Sequence, residues 1–297
     1  MTPRGFRLYA CAAATVALAG CTVNLNAERI TRSEERRFSV TGKPEVSLKT
    51  FDGAITVQSW DKPEVLVTIE RQAGDEESLK TITVKADQQG NQITVEVTAP
   101  EHTGGIVIGT HVGRSASLTV SLPREANVAA RSGDGAVTIG NVAGTLDVNT
   151  GDGAVNMRGS RGELLVRTGD GAVTLEDVQG QIELNTGDGG VKVDGVLQRV
   201  KARTGDGGIS IRAGAGSTAS TDWDIQTGDG SVTIDVPDGF GAELEARTGD
   251  GRVNVRDLTL ANMTKDDDNK AVRGRIGAGG GRLTVRTGDG SITVGKI

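Results

Sequence analysis

The side chains best placed to do chemistry in this sequence are carboxylates held in a fixed setting. An aspartate flanked by two glycines recurs eight times, at Asp134, Asp152, Asp170, Asp188, Asp206, Asp229, Asp250 and Asp289. Regularly spaced aspartates can ligate a row of cations, and a close pair can work as general acid and base. They can also accept backbone N–H groups inside a glycine turn. The spacing chooses among these. Successive aspartates lie 18 residues apart four times, then 23, 21 and 39. An active site occurs once and breaks the symmetry around it, whereas these carboxylates belong to the repeat. The expected role is a structural turn ladder in which each carboxylate binds N–H groups of its own turn. A cation row is the alternative, and calcium titration followed by thermal melting separates the two. The triplet Asp266-Asp267-Asp268 sits in an irregular insertion and reads as a solvated loop.

Other reactive groups are sparse. His102 and His111 share one glycine-rich segment, EHTGGIVIGTHVG, and no metal or acid/base role is expected of them. Cys11 and Cys21 are the only cysteines. With Cys11 in a leader, the mature chain keeps one thiol, so an intrachain disulfide is excluded. No catalytic, metal or cofactor-binding residue is assigned. Three positions before each aspartate the chain reads Arg131, Asn149, Arg167, Asn185, Arg203, Gln226, Arg247 and Arg286. Neighbouring arginines ~4.8 Å apart would repel by roughly 0.9 kcal/mol in water. Alternation with amides doubles the distance to ~10 Å, about one Debye length at 0.1 M salt. That economy makes sense only if the repeats stack in register.

The elements that carry these groups follow from the repeat. Ser132, Thr150, Thr168, Thr186, Thr204, Thr227, Thr248 and Thr287 precede the eight glycine-aspartate-glycine turns. Between turns lie two alternating runs, such as Ala172-Val173-Thr174-Leu175 and Ile182-Glu183-Leu184-Asn185-Thr186. Period-two patterning puts Val173, Leu175, Ile182, Leu184 and Thr186 on one side. Val155, Met157, Leu164 and Val166 repeat it, as do Val191, Val193, Val200 and Ala202. Such short strands bury an apolar face only by stacking coil on coil. The expectation is therefore an all-β fold, a single-chain parallel β-helix or β-solenoid with ~18-residue coils. The outward residues of the first run (Ala136, Thr138, Ala154, Asn156, Ala172, Thr174, Gly190, Lys192, Gly208, Ser210) make a small, flat surface. Left-handed hexapeptide helices and calcium-binding nonapeptide rolls do not fit, because neither the apolar spacing nor the aspartate position matches.

Residues 39–130 are strand-rich but irregular. Phe51-Asp52-Gly53 followed by Ala54-Ile55-Thr56-Val57 reads as one degenerate coil, residues 92–97 and 117–121 as strands, and Glu76–Lys80 as a helical turn. Regular coils occupy 131–212. Insertions at 213–223, 235–242 and 257–281 enlarge the coils of 213–297. The insertion at 257–281 is expected to fold over the open end; otherwise the last coil leaves strand edges bare as a docking template.

At the N-terminus, Arg4 and Arg7 precede an apolar stretch, Leu8 to Ala19, too short to span a bilayer. It ends in Leu18-Ala19-Gly20-Cys21, which resembles the bacterial lipobox. That resemblance implies a lipoprotein signal peptide over 1–20, cleavage before Cys21, and acylation of its thiol, so that the partner of the N-terminus is a membrane. Thr22, where retention signals carry Asp, permits sorting to the outer membrane. Residues 21–38 read as a polar tether.

Composition narrows function further. The whole chain carries −6 net charge, and loss of Arg4 and Arg7 leaves 31 basic against 39 acidic side chains. Nucleic-acid binders need a basic face, so no nucleic-acid partner is expected. Aromatics make up only 2%, which leaves few platforms (Trp60, Trp223, Phe38, Phe51, Phe240) for the sugars that β-helix enzymes bind. The recurrent GDG-A-V-T and L-x-V-x-T-G-D segments, over about residues 40–297, resemble the bacterial putative-adhesin family, a domain family of unknown function with a parallel β-solenoid fold. The resemblance supplies no catalytic residues. The reading is a non-catalytic, envelope-anchored lipoprotein, a binding or structural module whose partner is a protein or envelope polymer. The alternatives are a carbohydrate-active β-helix enzyme and a calcium-stabilised solenoid.

Overall fold

The computed structural model describes residues 29–100 and 113–297. Cys21, its leader and both histidines lie outside the described residues. The N-terminal part comprises β1 (Ile30–Ser39), β2 (Glu45–Thr50), β3 (Ile55–Trp60), β4 (Glu64–Ala73), the short helix α1 (Glu76–Lys80), β5 (Thr83–Gln89), β6 (Gln92–Thr98) and β7 (Ser115–Pro123). Next come β8 (Asn127–Arg131), β9 (Val137–Gly140), β10 (Ala143–Asn149), β11 (Val155–Arg158), β12 (Arg161–Arg167), β13 (Val173–Asn185), β14 (Val191–Arg203), β15 (Ile209–Ala213), β16 (Trp223–Gln226) and β17 (Val232–Val236). The C-terminal part holds β18 (Ala242–Thr248), β19 (Val253–Arg256), β20 (Leu260–Lys265), β21 (Ala271–Ile276), β22 (Arg282–Thr287) and β23 (Ile292–Lys296).

The expected solenoid is present. Each coil, or tier, is two strand segments joined by a glycine-aspartate-glycine corner. The strand before the corner joins one parallel ladder, running Leu146↔Leu164↔Ile182↔Val200 along β10, β12, β13 and β14. The strand after it joins a second ladder, running Val137↔Val155↔Val173↔Val191 along β9, β11, β13 and β14. The long strands β13 and β14 turn the second corner without a break and so belong to both ladders. That corner needs left-handed backbone, supplied by Asn141, Gly159 and Asp177 at φ 58, 63 and 52° in successive tiers. Between the ladders lies a dry column of Val, Ile, Leu and Ala. Val173 and Leu175 are fully buried, with Ile182 at 2% and Leu184 at 1% exposure. Each such side chain contributes roughly 1.5–3 kcal/mol, so the column as a whole offsets the cost of ordering the tiers.

Where the coil widens, the core changes composition. Trp223 occupies the inward position held by Val200 and Leu283 in other tiers, and it meets Phe240 edge-on at 5.3 Å. Its indole N–H donates to the Gln198 carbonyl. Both rings, and Phe38, are interior, so they offer no platform to a sugar.

The two ends differ from the regular middle. β2 and β3 form a tier whose corner is Phe51-Asp52-Gly53, as expected. That tier lies between β6–β7 on one side and β8–β9 on the other. The chain therefore skips one tier on passing from β7 to β8. The same happens at the other end. β22 lies between β16 and β18, and β23 between β17 and β19. The last coil is thus an inner tier and does not form the end of the rod. The insertion of 257–281 folds into the antiparallel pair β20–β21, and β21 covers the outer edge of β18. At the N-terminal end, β4 and then β1 extend the ladder of β7, and β5 covers β6, all antiparallel.

One expectation needs correction. Residues 30–38, the larger part of the tether expected over 21–38, form most of β1, which pairs with β4 from Ile30↔Ala73 to Ser39↔Glu64. The segment is charged because it is an edge strand, and its charges are matched locally. Glu34 pairs with Arg36 at 2.7 Å and with Arg71 at 3.5 Å, and Arg37 with Glu35 at 3.2 Å. Phe38 alone enters the core.

Candidate functional site

The eight Gly-Asp-Gly corners line up along one ridge of the rod, and each of their residues has a separate task. The threonine before the corner is buried. Thr168 reaches back to the Gly151 and Gly153 carbonyls of the preceding tier at 3.1 and 3.0 Å, and Thr186 to those of Gly169 and Gly171 at the same distances. Thr204, Thr227, Thr287 and Thr248 do likewise. Thr204 Oγ1 also accepts the N–H of Gly207 within its own turn. The side chain therefore fastens one tier to the next while closing its own corner. Threonine precedes seven of the eight copies and serine, Ser132, the first; the inward period-two position of this hydroxyl is the sequence signal of the role.

The glycines are required by closeness. A Cβ on Gly171 would sit 2.0 Å from the Gly153 carbonyl oxygen, and one on Gly169 would sit 2.3 Å from Oδ1 of Asp152. This second contact shows where the aspartates point. Asp152 Oδ1 accepts the N–H of Asp170, and Asp170 Oδ1 that of Asp188, each at 3.3 Å. The carboxylate was expected to serve its own turn, but these two reach forward to the next tier. At ~4.8 Å between tiers, the following N–H is within range of a carboxylate on a single methylene, and the glycine before it clears the path. Asp134, Asp206, Asp229 and Asp289 occupy the same exposed ridge, and Asp250 pairs with Lys270 at 3.2 Å. Among the described residues, no three or more His, Cys, Asp or Glu side chains converge as metal ligands would.

Beside the ridge runs the arginine column. The register places Asn149 next to Arg167, Arg167 next to Asn185, Asn185 next to Arg203, and Arg203 next to Gln226. The alternation is therefore spatial. It ends where Arg286 and Arg247 become neighbours. A second signal lay unread in the sequence. Each amide-bearing tier carries an acid two residues earlier: Asp147, Glu183 and Asp224. Asp147 bridges Arg131 at 3.5 Å and Arg167 at 3.3 Å, and Asp224 holds Arg203 at 2.7 Å. Glu183 takes Lys201 at 2.9 Å. The Lys201 hydrogen bond, followed by its charge, holds the Glu183 carboxyl below the usual glutamate range against a modest cost of burial. Arg273 does the same for Glu245 and Lys49 for Glu96, again chiefly by direct hydrogen bonding.

The opposite ladder presents a plainer surface. Thr56, Thr138, Asn156, Thr174, Lys192, Ser210, Thr233, Thr293 and Asn254 follow one another in register, with alanine, glycine and serine beside them. Concavities are shallow. One, of about 540 Å³, lies over Gly162 and Gly180 and is walled by Arg161, Glu163, Gln179, Gln181 and Gln198. It holds an acid and a base from one tier but no pair of carboxylates and no nucleophile.

The family model described as Toastrack DUF4097 matches residues 44–295. No curated protein matches the chain. Among solved structures, a putative lipid binding protein from Parabacteroides distasonis ATCC 8503 is 14% identical with a TM-score of 0.49, covering 89% of this chain and 96% of that one. A putative adhesin from Bacteroides fragilis NCTC 9343 is 13% identical with a TM-score of 0.40, covering 90% and 97%. A putative cell adhesion protein from Clostridium sporogenes ATCC 15579 is 13% identical with a TM-score of 0.32, covering 90% and 100%. Values this low say nothing about ligand or partner.

Proposed function

Since this chain belongs to the Toastrack DUF4097 family, we propose that it is a non-catalytic, lipid-anchored binding or structural module of the cell envelope. The observation that carries the reading is the equivalence of the tiers. Corner and fastener recur from coil to coil and the ion-paired acid on alternate regular coils, so among the described residues no one regular tier gathers a set of groups that its neighbours lack. Such a surface suits extended contact with a polymer or another protein along the rod. Anchoring rests on Leu18-Ala19-Gly20-Cys21, and the outer membrane is the expected destination because Thr22 carries no retention signal. Two or three acyl chains on Cys21 would hold the protein stably, each buried methylene adding roughly 0.8 kcal/mol.

Radioactive palmitate tests the anchor. Wild-type protein should take up label and fractionate with the outer membrane, and Cys21→Ser should do neither. Equal labelling of both would remove the anchor from the proposal. Binding is tested by incubating pure protein with envelope material. Retention on that material without release of fragments is expected, and release of oligosaccharide would replace the module with a carbohydrate-active enzyme.

A further inference from the structure

The tier built from β22 and β23 differs from every regular coil in one respect. The regular coils stack on the coil just before them in the chain, whereas this one is seated between two tiers that precede it. The slot it fills is bounded by β16–β17 and β18–β19. Leu283 stands between Trp223 and Leu244, Val285 between Ile225 and Ala246, and Ile292 between Val232 and Val253. Leu283, Val285, Ile292 and Val294 are fully buried there. Two threonine fasteners close on it from opposite sides. Thr287 binds the Gly228 and Gly230 carbonyls at 3.2 and 2.8 Å, and Thr248 binds those of Gly288 and Gly290 at 3.3 and 2.7 Å. Without this coil the slot has four bare strand edges, about 10 Å apart across two tier spacings, and a lining that selects the Thr-Gly-Asp-Gly pattern.

The segment that feeds the coil is built to bend. Residues 277–281 read Gly-Ala-Gly-Gly-Gly, with Gly277 at φ 55° and Gly279 at φ 83°, a region that side chains disfavour. On its near side, β21 is held by β18 through a full antiparallel register. A change of course between Ile276 and Arg282 would therefore move the coil and leave its cap in place. Gly281 is already seated, its N–H donating to the Ala219 carbonyl at 2.7 Å and its carbonyl accepting the Glu243 N–H at 3.0 Å, so the bend falls in residues 277–280, which reach about 14 Å when extended.

From this geometry we propose that the coil 282–296 is an exchange element: two copies of this chain associate by each seating its coil in the other's slot. Every ladder bond, buried side chain and threonine fastener is the same in the exchanged pair as within one chain. Only the hinge differs, so its strain and the local protein concentration set the balance. The proposal stands independently of the function argued above.

Single-cysteine partners across the slot test it in the full-length protein, in a background with both native cysteines replaced, Cys11→Ser and Cys21→Ser. Thr233 and Thr293 are register neighbours on β17 and β23 with outward side chains. Protein carrying both Thr233→Cys and Thr293→Cys should form a 233–293 cross-link, within one chain or between two, through a short bifunctional thiol-reactive reagent. Failure to do so overturns the seating of the coil. Isotopically distinguished Thr233→Cys and Thr293→Cys copies, refolded together, should give a between-chain 233–293 cross-link in mass spectra, increasing with protein concentration. Its absence while the double variant cross-links overturns exchange. Deleting Gly279 and Gly280 should shift the population to dimer by light scattering, because a short hinge reaches a neighbour's slot more readily than its own. A folded, monomeric deletion variant would likewise overturn the proposal.

Discussion

Threonine at the head of each corner is a small residue with a large share in cohesion, because its hydroxyl is buried against two carbonyls of another tier. Thr186→Val keeps the shape and removes the hydroxyl, leaving the Gly171 carbonyl without that partner. A loss of about 1–2 kcal/mol is expected in urea denaturation. The glycines divide into two kinds by what a methyl group would meet. Gly171→Ala drives a Cβ to 2.0 Å from the Gly153 oxygen, and about 3 kcal/mol or more should be lost. Gly190→Ala meets nothing closer than the Gly208 oxygen at 3.8 Å, and its melting temperature should stay within a degree or two of wild type, since the change stays within about 0.5 kcal/mol. The difference was legible in the sequence, where Gly171 is the second glycine of a corner and is glycine in all eight copies, while Gly190 holds the position that Ala136, Ala154 and Ala172 fill in other coils. It depends on which side of the turn faces the tier below.

Strands were legible where inward positions are aliphatic. The runs around Val155, Val173, Ile93 and Leu118 announce themselves by alternation, and each is a strand. β1 was missed because an edge strand with one core residue, Phe38, has no aliphatic period to show, and its ion pairs with β4 are long-range. The ion pairs on the ladder faces predict an acid response. Glu96, Glu183 and Glu245 are held below the ordinary glutamate range by hydrogen bonds from Lys49, Lys201 and Arg273, and Asp75, the N-cap of α1, is held below the ordinary aspartate range by the Ser78 N–H that it accepts. A carboxylate depressed on folding contributes stability above its unfolded pKa and loses it as pH falls through the folded value. Stability should therefore be flat above about pH 5 and fall below about pH 4. Melting temperature across pH 3–7 checks this, and a stability that increases on acidification would contradict the assignment. Because the groups are exposed, salt should blunt the effect.

The rod as a whole follows from one period, and that period was fully visible in the spacing of the aspartates. The order of tiers was not. Leu283 and Val285 have the same pattern as Leu244 and Ala246, so alternation cannot say which coil lies inside which, and the interleaving of both ends appears only in the pairings. Equivalence of the middle tiers makes a sharp prediction. Removing residues 152–169, one complete repeat, should leave a folded protein shorter by about 5 Å, with a cooperative melt at somewhat lower temperature. Removing half that length should abolish the melt, since inward residues would turn outward. Small-angle scattering and calorimetry on both deletions decide the matter. The interleaved ends also bear on how the molecule takes a load. Its ladder bonds lie along the rod axis, so a pull from end to end would peel coils singly, each releasing roughly 60 Å of chain. At either end, however, the outermost coil is followed inward by one threaded from elsewhere in the chain, so tearing cannot begin by unwinding the sequence in order. A rod fixed at one end and tugged at the other would meet its strongest resistance first, and yield in long, even steps only after a terminal clasp had failed.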